Sequence, residues 1–464
     1  LTKFVLFDQY TTHAELETVF QERKAEKGCP GFMKKDNTSY EEAVNNLYNL
    51  QKFGIKFGLS KTSNLLEALG NPHKGQKYIH IGGTNGKGSV ASFIGSVLKE
   101  AGLKVGLYSS PHLVRFTERF RINDQEITPA KVETLIRELT DAFAPEEPPT
   151  FFEATTAIAM TYFARENTDI AIMEVGMGGR LDATNVITPL VSVITNISME
   201  HQFFLGSRLL DIAGEKAGII KQGIDVVTGA TQASVINLFE SIAKEKKAPF
   251  WRLGKDSRYR TSGSGLHYYG LKRRFRGLRL GLKGSYQARN AALALTAIER
   301  FEEKGLRISS RDIINGLGNN SWPGRMQVVA ESPTVILDGA HNPAAIRALA
   351  GSLTSGFKYR RLILVIGVME DKDIGRLIRG IVPVSDYVIY TRPVYSRAAN
   401  PEILAAEGAS SGKPGEVIQV LTQALDRARQ MAEPRDLIVV TGSLFTVGEA
   451  LTYFDPETHR PDVI

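Results

Sequence analysis

Lys77-Tyr78-Ile79-His80-Ile81, then Gly82-Gly83-Thr84-Asn85-Gly86-Lys87-Gly88-Ser89, then an apolar helical run through Val90 to Ala101: this stretch decides the fold. The first five residues predict a strand and the last twelve a helix. Between them, glycines let backbone N–H groups close around an anion at a helix N-terminus. Lys87 is placed to neutralise β- and γ-phosphates, and Ser89 to ligate Mg²⁺. The spacing departs from the common P-loop. Three residues, not four, separate Gly82 from Gly86, and Gly88 stands between Lys87 and Ser89. An ordinary glycine-rich turn is the alternative; the strand–loop–helix setting favours phosphate.

Outward from this loop the alternation continues. Lys104 to Tyr108, Asp169 to Val175, Val191 to Asn196 and Asp225 to Thr228 are further strands separated by helical stretches. The pattern predicts an α/β protein with a mostly parallel sheet covered on both faces. Pro323-Gly324 is a strong breaker. After it come strands at Thr334 to Leu337, Arg361 to Gly367, Tyr387 to Tyr390 and Asp436 to Thr441. The expected organisation is an extension over 1–37, a P-loop-containing domain over 38–324 and a smaller Rossmann-like α/β domain over 325–464. Order is expected from Ser39, where Ser39-Tyr40-Glu41-Glu42 has capping-box spacing.

The composition of the 464 residues, 42% hydrophobic and 23% charged, excludes a disordered or fibrous chain. The longest apolar run is about eight residues, Leu362 to Met369, against roughly 18 for a membrane helix. A single cysteine, Cys29, excludes an intramolecular disulfide, and no secretory h-region follows the start. A soluble, cytoplasmic monomer without membrane or nucleic-acid partners is expected. The net charge of +7 favours anionic partners mildly. The densest basic run (Lys272, Arg273, Arg274, Arg276 and Arg279) lies between glycines and reads as a solvated hairpin.

Further chemistry follows strand ends, where open α/β sheets bind ligands. Glu174 ends one strand ahead of Gly176-Met177-Gly178-Gly179; a loop salt bridge is the alternative. His201 closes Thr195-Asn196-Ile197-Ser198-Met199-Glu200-His201, and Lys216 lies in Gly214-Glu215-Lys216-Ala217-Gly218. Each is an ordinary structural or surface residue if taken alone. Asp338 and His341 follow another strand in Asp338-Gly339-Ala340-His341-Asn342-Pro343, and Ser443 follows Thr441-Gly442; helix caps are the alternative for Asp338 and Ser443.

Together these segments resemble the folylpolyglutamate synthase/dihydrofolate synthase family, a branch of the Mur-type ATP-dependent amide ligases. The resemblance runs from about residue 38 to 455. It rests on YEEAVNNLYNLQKFGIKFGL at Tyr40 to Leu59, HIGGTNGKGSV, SSPHL at Ser109 to Leu113, FFE at Phe151 to Glu153, EVGMGGRLDATN, EKAGIIK, NAALAL from Asn290, PGR at Pro323 to Arg325, ILDGAHNP and TGSLFTVGEA. It implies ATP-dependent joining of L-glutamate to dihydropteroate or tetrahydrofolate through an acyl phosphate, with release of ADP and phosphate. A Mur-type ligase acting on a UDP-linked cell-wall precursor is the alternative, which EKAGIIK and SSPHL disfavour.

The resemblance also implies roles. ATP falls to Gly83, Thr84, Asn85, Gly86, Lys87, Gly88, Ser89, Asn290, Arg325 and Asp338. Ser89, Glu174, His201 and a carbamylated Lys216 are the implied Mg²⁺ ligands, for up to two ions. Lys87, Lys216 and His201 are the implied catalytic residues. Ser110, Pro111, His112, Phe152, Glu153, His341 and Ser443 are assigned to the pterin and glutamate substrates. A monovalent cation is a further expectation. Some positions depart from the family pattern: Glu200 for an aspartate, Ser207-Arg208 where a threonine is common, and Tyr286 for a histidine.

Overall fold

Every residue from Tyr78 to Gly82 is buried, as a strand covered on both faces must be. In the computed structural model, which describes residues 39–54, 58–144 and 146–462, this strand (β1) lies inside an eight-stranded sheet. Its companions are β2 (Val105–Tyr108), β3 (Phe120–Ile122), β4 (Gln125–Glu126), β5 (Ile170–Glu174), β6 (Val191–Ile194), β7 (Asp225–Thr228) and β8 (Phe250–Arg252). The order is β4-β3-β2-β5-β1-β6-β7-β8. The six strands from β2 to β8 in that order are parallel, and β3 and β4 close one edge antiparallel.

Alternation along β1 divides the core. Ile79 and Ile81 pack with Phe93, Ile94, Leu293 and Phe301 from the helices Lys87–Glu100 and Ser285–Glu302. Tyr78 faces the other side, with Ile158 and Phe163 of the helix Phe151–Arg165 and Val44 and Leu47 of the helix Tyr40–Asn49. That last helix opens with the expected capping box: the Ser39 hydroxyl accepts from the Glu42 N–H at 3.3 Å, and Glu42 accepts from the Ser39 N–H at 3.3 Å.

Two antiparallel elements follow different rules. Strands β9 (Arg258–Ser262), β10 (Gly265–Tyr269) and β11 (Arg274–Leu278) make a small separate sheet in the order β11-β10-β9. The basic run occupies the β10–β11 turn, β11 and the residue after it. Lys272, Arg274, Arg276 and Arg279 are exposed, and Arg273 pairs with Glu302. The hairpin reading holds, with β9 as an added strand.

The last sheet comprises β12 (Gln327–Glu331), β13 (Thr334–Leu337), β14 (Leu362–Ile366), β15 (Tyr387–Arg392), β16 (Gly415–Val420) and β17 (Leu437–Thr441). Its order is β12-β13-β17-β14-β15-β16, parallel except for β12. The four strands expected from sequence are its four central ones. The two missed strands, β12 and β16, are the edges, and neither is fully buried. The fold is therefore α/β with a parallel-rich sheet followed by a second one. Among the described residues no helix is long and apolar enough to cross a membrane. The expected extension over 1–37, with Cys29, lies outside the described residues, as do residues 55–57 of the Tyr40–Leu59 segment.

Candidate functional site

The turn after β1 is forced open by its glycines. Gly83 has φ +127°, and a Cβ there would lie 2.0 Å from the Thr195 Oγ1. Gly86 has φ +84° and precedes the helix Lys87–Glu100 without a side-chain cap. The first-turn N–H groups are thus left for another acceptor. The loop is pinned from below: the Thr84 N–H donates to the Asn196 carbonyl at 2.8 Å, and the Thr195 hydroxyl to the Asn85 carbonyl at 2.7 Å.

This loop lines a cavity of about 460 Å³ between the two sheets. Thr84, Asn85, Gly86, Lys87, Gly88, Ser89, Glu174, His201 and Asn290 come from the first sheet's side; Arg325, Asp338 and His341 come from the second. Asn85 and Asn342 bond across the junction at 2.8 Å and 3.2 Å. Four positively charged side chains, Lys87, Arg289, Arg325 and Arg347, line this space. Such a concentration suits a polyphosphate. The sequence singled out neither Arg289 nor Arg347; each lies on a helix with nothing local to mark it.

Glu174 is 5% exposed. Burial pushes its carboxyl up, opposed by Lys87 and Arg325. Burial also works to raise Glu200, but the His341 hydrogen bond, Lys87 and His201 outweigh it and hold that carboxyl well below the usual range. His201 is lowered to about 4 by burial, against the pull of Glu200, and so is neutral at pH 7. Ser89 accepts from the Gln287 amide at 3.2 Å, which leaves the hydroxyl a lone pair toward the cavity. Among the described residues no three His, Cys, Asp or Glu side chains cluster tightly enough to hold an ion alone. Ser89 and Glu174 nevertheless offer hydroxyl and carboxylate oxygens. That fits magnesium, which takes few protein ligands and completes its shell with phosphate and water.

Lys216 does not line this cavity. It is 3% exposed and donates to the Gly83 carbonyl at 3.0 Å. Burial and then Lys87 lower its ammonium to about 8. Asp338 spends its carboxylate on Tyr286 Oη (2.7 Å) and on the N–H groups of Met326 (2.9 Å) and Ala340 (3.0 Å). Tyr286 thus supplies a donor to Asp338 at its departing position. Ser443 caps the helix Leu444–Phe454, accepting from the Thr446 N–H at 2.9 Å.

A second cavity, of about 540 Å³, lies beside the first, and Ser110, Pro111 and Gly176 line both. Its walls include Phe151, Phe152, Glu153, Met177, Leu181 and Arg119. Phe152 and Glu153 are therefore brought beside Ser110 and Pro111, as expected. The Glu153 carboxylate is committed to the Thr150 N–H at 2.7 Å. His112 lines a smaller pocket with Arg325, and its Nε2 meets the Tyr48 hydroxyl at 3.1 Å.

Comparison with known proteins agrees with this layout. The Mur ligase middle domain family matches residues 81–298, and the Mur ligase glutamate ligase domain family matches residues 324–444. A probable bifunctional folylpolyglutamate synthase/dihydropteroate synthase of Haloferax volcanii is 37% identical over 442 residues, covering 91% of this chain and 52% of that protein. A dihydrofolate synthase/folylpolyglutamate synthase of Bacillus subtilis is 33% identical over 429 residues, covering 89% of this chain and 98% of that one. The chain thus spans about half the length of the first and nearly all of the second. The structure of E. coli FolC in complex with DHPP and ADP superposes with a TM-score of 0.85 at 32% identity, covering 92% of this chain and 100% of that chain.

Proposed function

The chain belongs to the folylpolyglutamate synthase/dihydrofolate synthase family, and from that premise we propose that it joins L-glutamate to dihydropteroate or tetrahydrofolate at the expense of ATP. The observation that carries this reading is the pair of adjoining cavities: one ringed by cations and loop N–H groups, the other aromatic, with Ser110, Pro111 and Gly176 lining both. A flat aromatic acceptor in the second cavity directs its carboxylate past this shared wall toward the γ-phosphate.

A carboxylate is a poor acyl donor because oxide is its leaving group. Attack of the carboxylate oxygen on the γ-phosphorus breaks the bond to the β-phosphate oxygen and releases ADP. The glutamate nitrogen then adds to the acyl carbon, loses a proton, and phosphate departs. In this reading Lys87 and the N–H groups after Gly86 hold the phosphates and spread their developing charge. Asn290, Arg325 and Asp338 build the nucleotide wall, and His341 and Ser443 the side facing glutamate. Ser89, Glu174 and His201 would hold magnesium, which supplies charge neutralisation at the transferred phosphoryl group. The junction of the two units shields the acyl phosphate from water. The division into residues 38–324 and 325–464 belongs to the same reading, since the cavity draws on both.

Lys216 is proposed to be carbamylated. Its lowered pKa of about 8 leaves a usable fraction of free amine near neutrality. That nitrogen adds to carbon dioxide and loses a proton, and a cation becomes an anion offering two oxygens. Lys216→Ala is expected to lose most activity, with partial rescue by bicarbonate or a small carboxylic acid. Near-normal activity insensitive to bicarbonate would refute the carbamate. The decisive test is phosphate release from ATP with Mg²⁺, L-glutamate and either acceptor. No release with any pteroate or folate would sink the reading, and release dependent on a UDP-linked acceptor would replace it. Running it with potassium against a bulky organic cation tests a monovalent requirement.

A further inference from the structure

Arg119 carries a charge that no carboxylate among the described residues meets at ion-pair distance. It is 6% exposed and lines the aromatic cavity but not the nucleotide cavity. Its Nε donates to His112 Nδ1 at 2.9 Å, and its guanidinium lies 5.1 Å from the centre of the Phe151 ring. Arginine has no acceptor atom, so His112 Nδ1 must be unprotonated and its Nε2 must carry the hydrogen toward Tyr48. Burial and Arg119 itself hold the imidazole neutral. Among the described residues no carboxylate lies within ion-pair distance of Arg119, and none accepts a hydrogen bond from either of its terminal nitrogens.

Of the acids nearby, Glu174 feels the charge of Arg119 from beyond ion-pair distance, and the others are engaged elsewhere. Glu118, its neighbour in sequence, accepts from the N–H groups of Leu113, Val114 and Arg115 at 2.8, 3.0 and 2.8 Å. Of the acids lining the cavity, Glu153 caps its helix, Asp182 takes the N–H groups of Gly176 and Met177 at 3.0 Å each, and Glu215 pairs with Arg180 at 2.8 Å. The other arginine of this cavity, Arg397, is exposed and bonded to Tyr395. Leaving a buried guanidinium fork unpaired is costly, so its complement is expected on the ligand.

We propose that Arg119 binds a carboxylate of the acceptor that does not react: the α-carboxylate of a glutamyl tail. The reacting carboxylate must reach Lys87 and Ser89 past the shared wall, and Arg119 lines only the chamber behind it. Dihydropteroate has a single carboxylate, which the reaction consumes. A glutamyl folate has a second to offer, and the fork matches it in a bidentate manner. Arg119 is thus a specificity-determining residue that favours glutamylated acceptors. The inference rests on the folate-ligase reading above, and its test separates the two.

The full-length protein is assayed for phosphate release, with KM and kcat for dihydropteroate and for monoglutamyl tetrahydrofolate, as wild type, Arg119→Gln and Arg119→Lys. Gln retains an N–H for His112 but not the charge. The expected result is a KM for the folate raised roughly 10- to 100-fold in Arg119→Gln, the range of a charge-assisted hydrogen bond. The loss on dihydropteroate should be smaller by at least tenfold, and Lys should recover part of the folate KM. Equal losses on both acceptors, a loss confined to kcat, or no change would overturn the proposal, as would a wild type active on dihydropteroate and inert toward folates. A wild type inert toward both acceptors refutes the folate-ligase reading itself.

Discussion

Replacing Gly83 by alanine should damage the phosphate loop from within, and the structure sets the scale. Gly83 sits at φ +127°, a conformation that costs an L-residue about 1–3 kcal/mol. The new Cβ would meet Thr195 Oγ1 at 2.0 Å and the Thr195 backbone nitrogen at 2.8 Å. Rotating the hydroxyl away forfeits its 2.7 Å bond to the Asn85 carbonyl, worth about 1 kcal/mol. It does nothing for the backbone nitrogen, which is tied to Gly82 at 3.0 Å. Overpacking of this kind adds about 1–3 kcal/mol. The expected sum is roughly 3–7 kcal/mol, divided between lower stability and a displaced loop. Urea unfolding and calorimetric titration of Mg-ATP on the same preparation read the two parts. Gly351→Ala is the control: it lies on an exposed helical position with nothing within 4 Å of the new Cβ, and should stabilise by about 0.5–1 kcal/mol. If Gly83→Ala stays within about 1 kcal/mol of wild type and binds ATP within threefold, the steric reasoning fails.

The wall shared by the cavities gives a second test, because a Cβ at Gly176 would lie 2.4 Å from the Phe152 ring. Gly176→Ala should raise the acceptor KM at least tenfold while the KM for ATP changes little, and the reverse pattern would refute the assignment of the chambers. His80 is fully buried, its pKa lowered to about 3 by burial and then by Lys221. The unfolded chain takes up this proton near pH 6.5 and the native chain only near 3, so the stability it contributes is present above pH 6.5 and is lost as pH falls through that window. His80→Gln should flatten the slope of stability against pH between 4 and 6 by up to about 1.4 kcal/mol per unit, and an unchanged slope would refute it. Asp225 holds Trp251 Nε1 at 2.7 Å, Arg300 at 3.2 Å and Lys304 at 3.0 Å in a buried network. Asp225→Ala should cost about 3 kcal/mol or more by urea unfolding, since among the described residues Glu303 is then the one carboxylate left to Arg300, whereas Asp225→Asn should cost less because it still accepts from Trp251. Equal losses would argue against the charge as the cause.

What could be read from the sequence divides along physical lines. The central strands were legible because burial on both faces makes them continuous apolar runs; β14 is one such run. Edge strands β12 and β16 lacked that signal, and β9, with all five residues exposed, had none. The glycine loop, Glu174 and His201 could be located because strand-to-helix turns carry their chemistry in adjacent residues. Arg119, Arg289 and Arg347 were not, because their significance lies in what faces them across space. Lys216 shows the limit from the other side. Its segment is recognisable, yet nothing in the segment reveals that the side chain turns beneath the loop to meet Gly83.

The pairing of β1 has a consequence for synthesis on the ribosome. Ile79 pairs with Ile172 on one side and Val191 on the other. While the nascent chain is emerging, β1 waits with both edges bare until those two partners are translated, and the apolar strand that carries the loop is exposed throughout. The nucleotide cradle is therefore a late product of translation, and slow decoding ahead of Val191 would lengthen the interval in which chaperones must cover this segment.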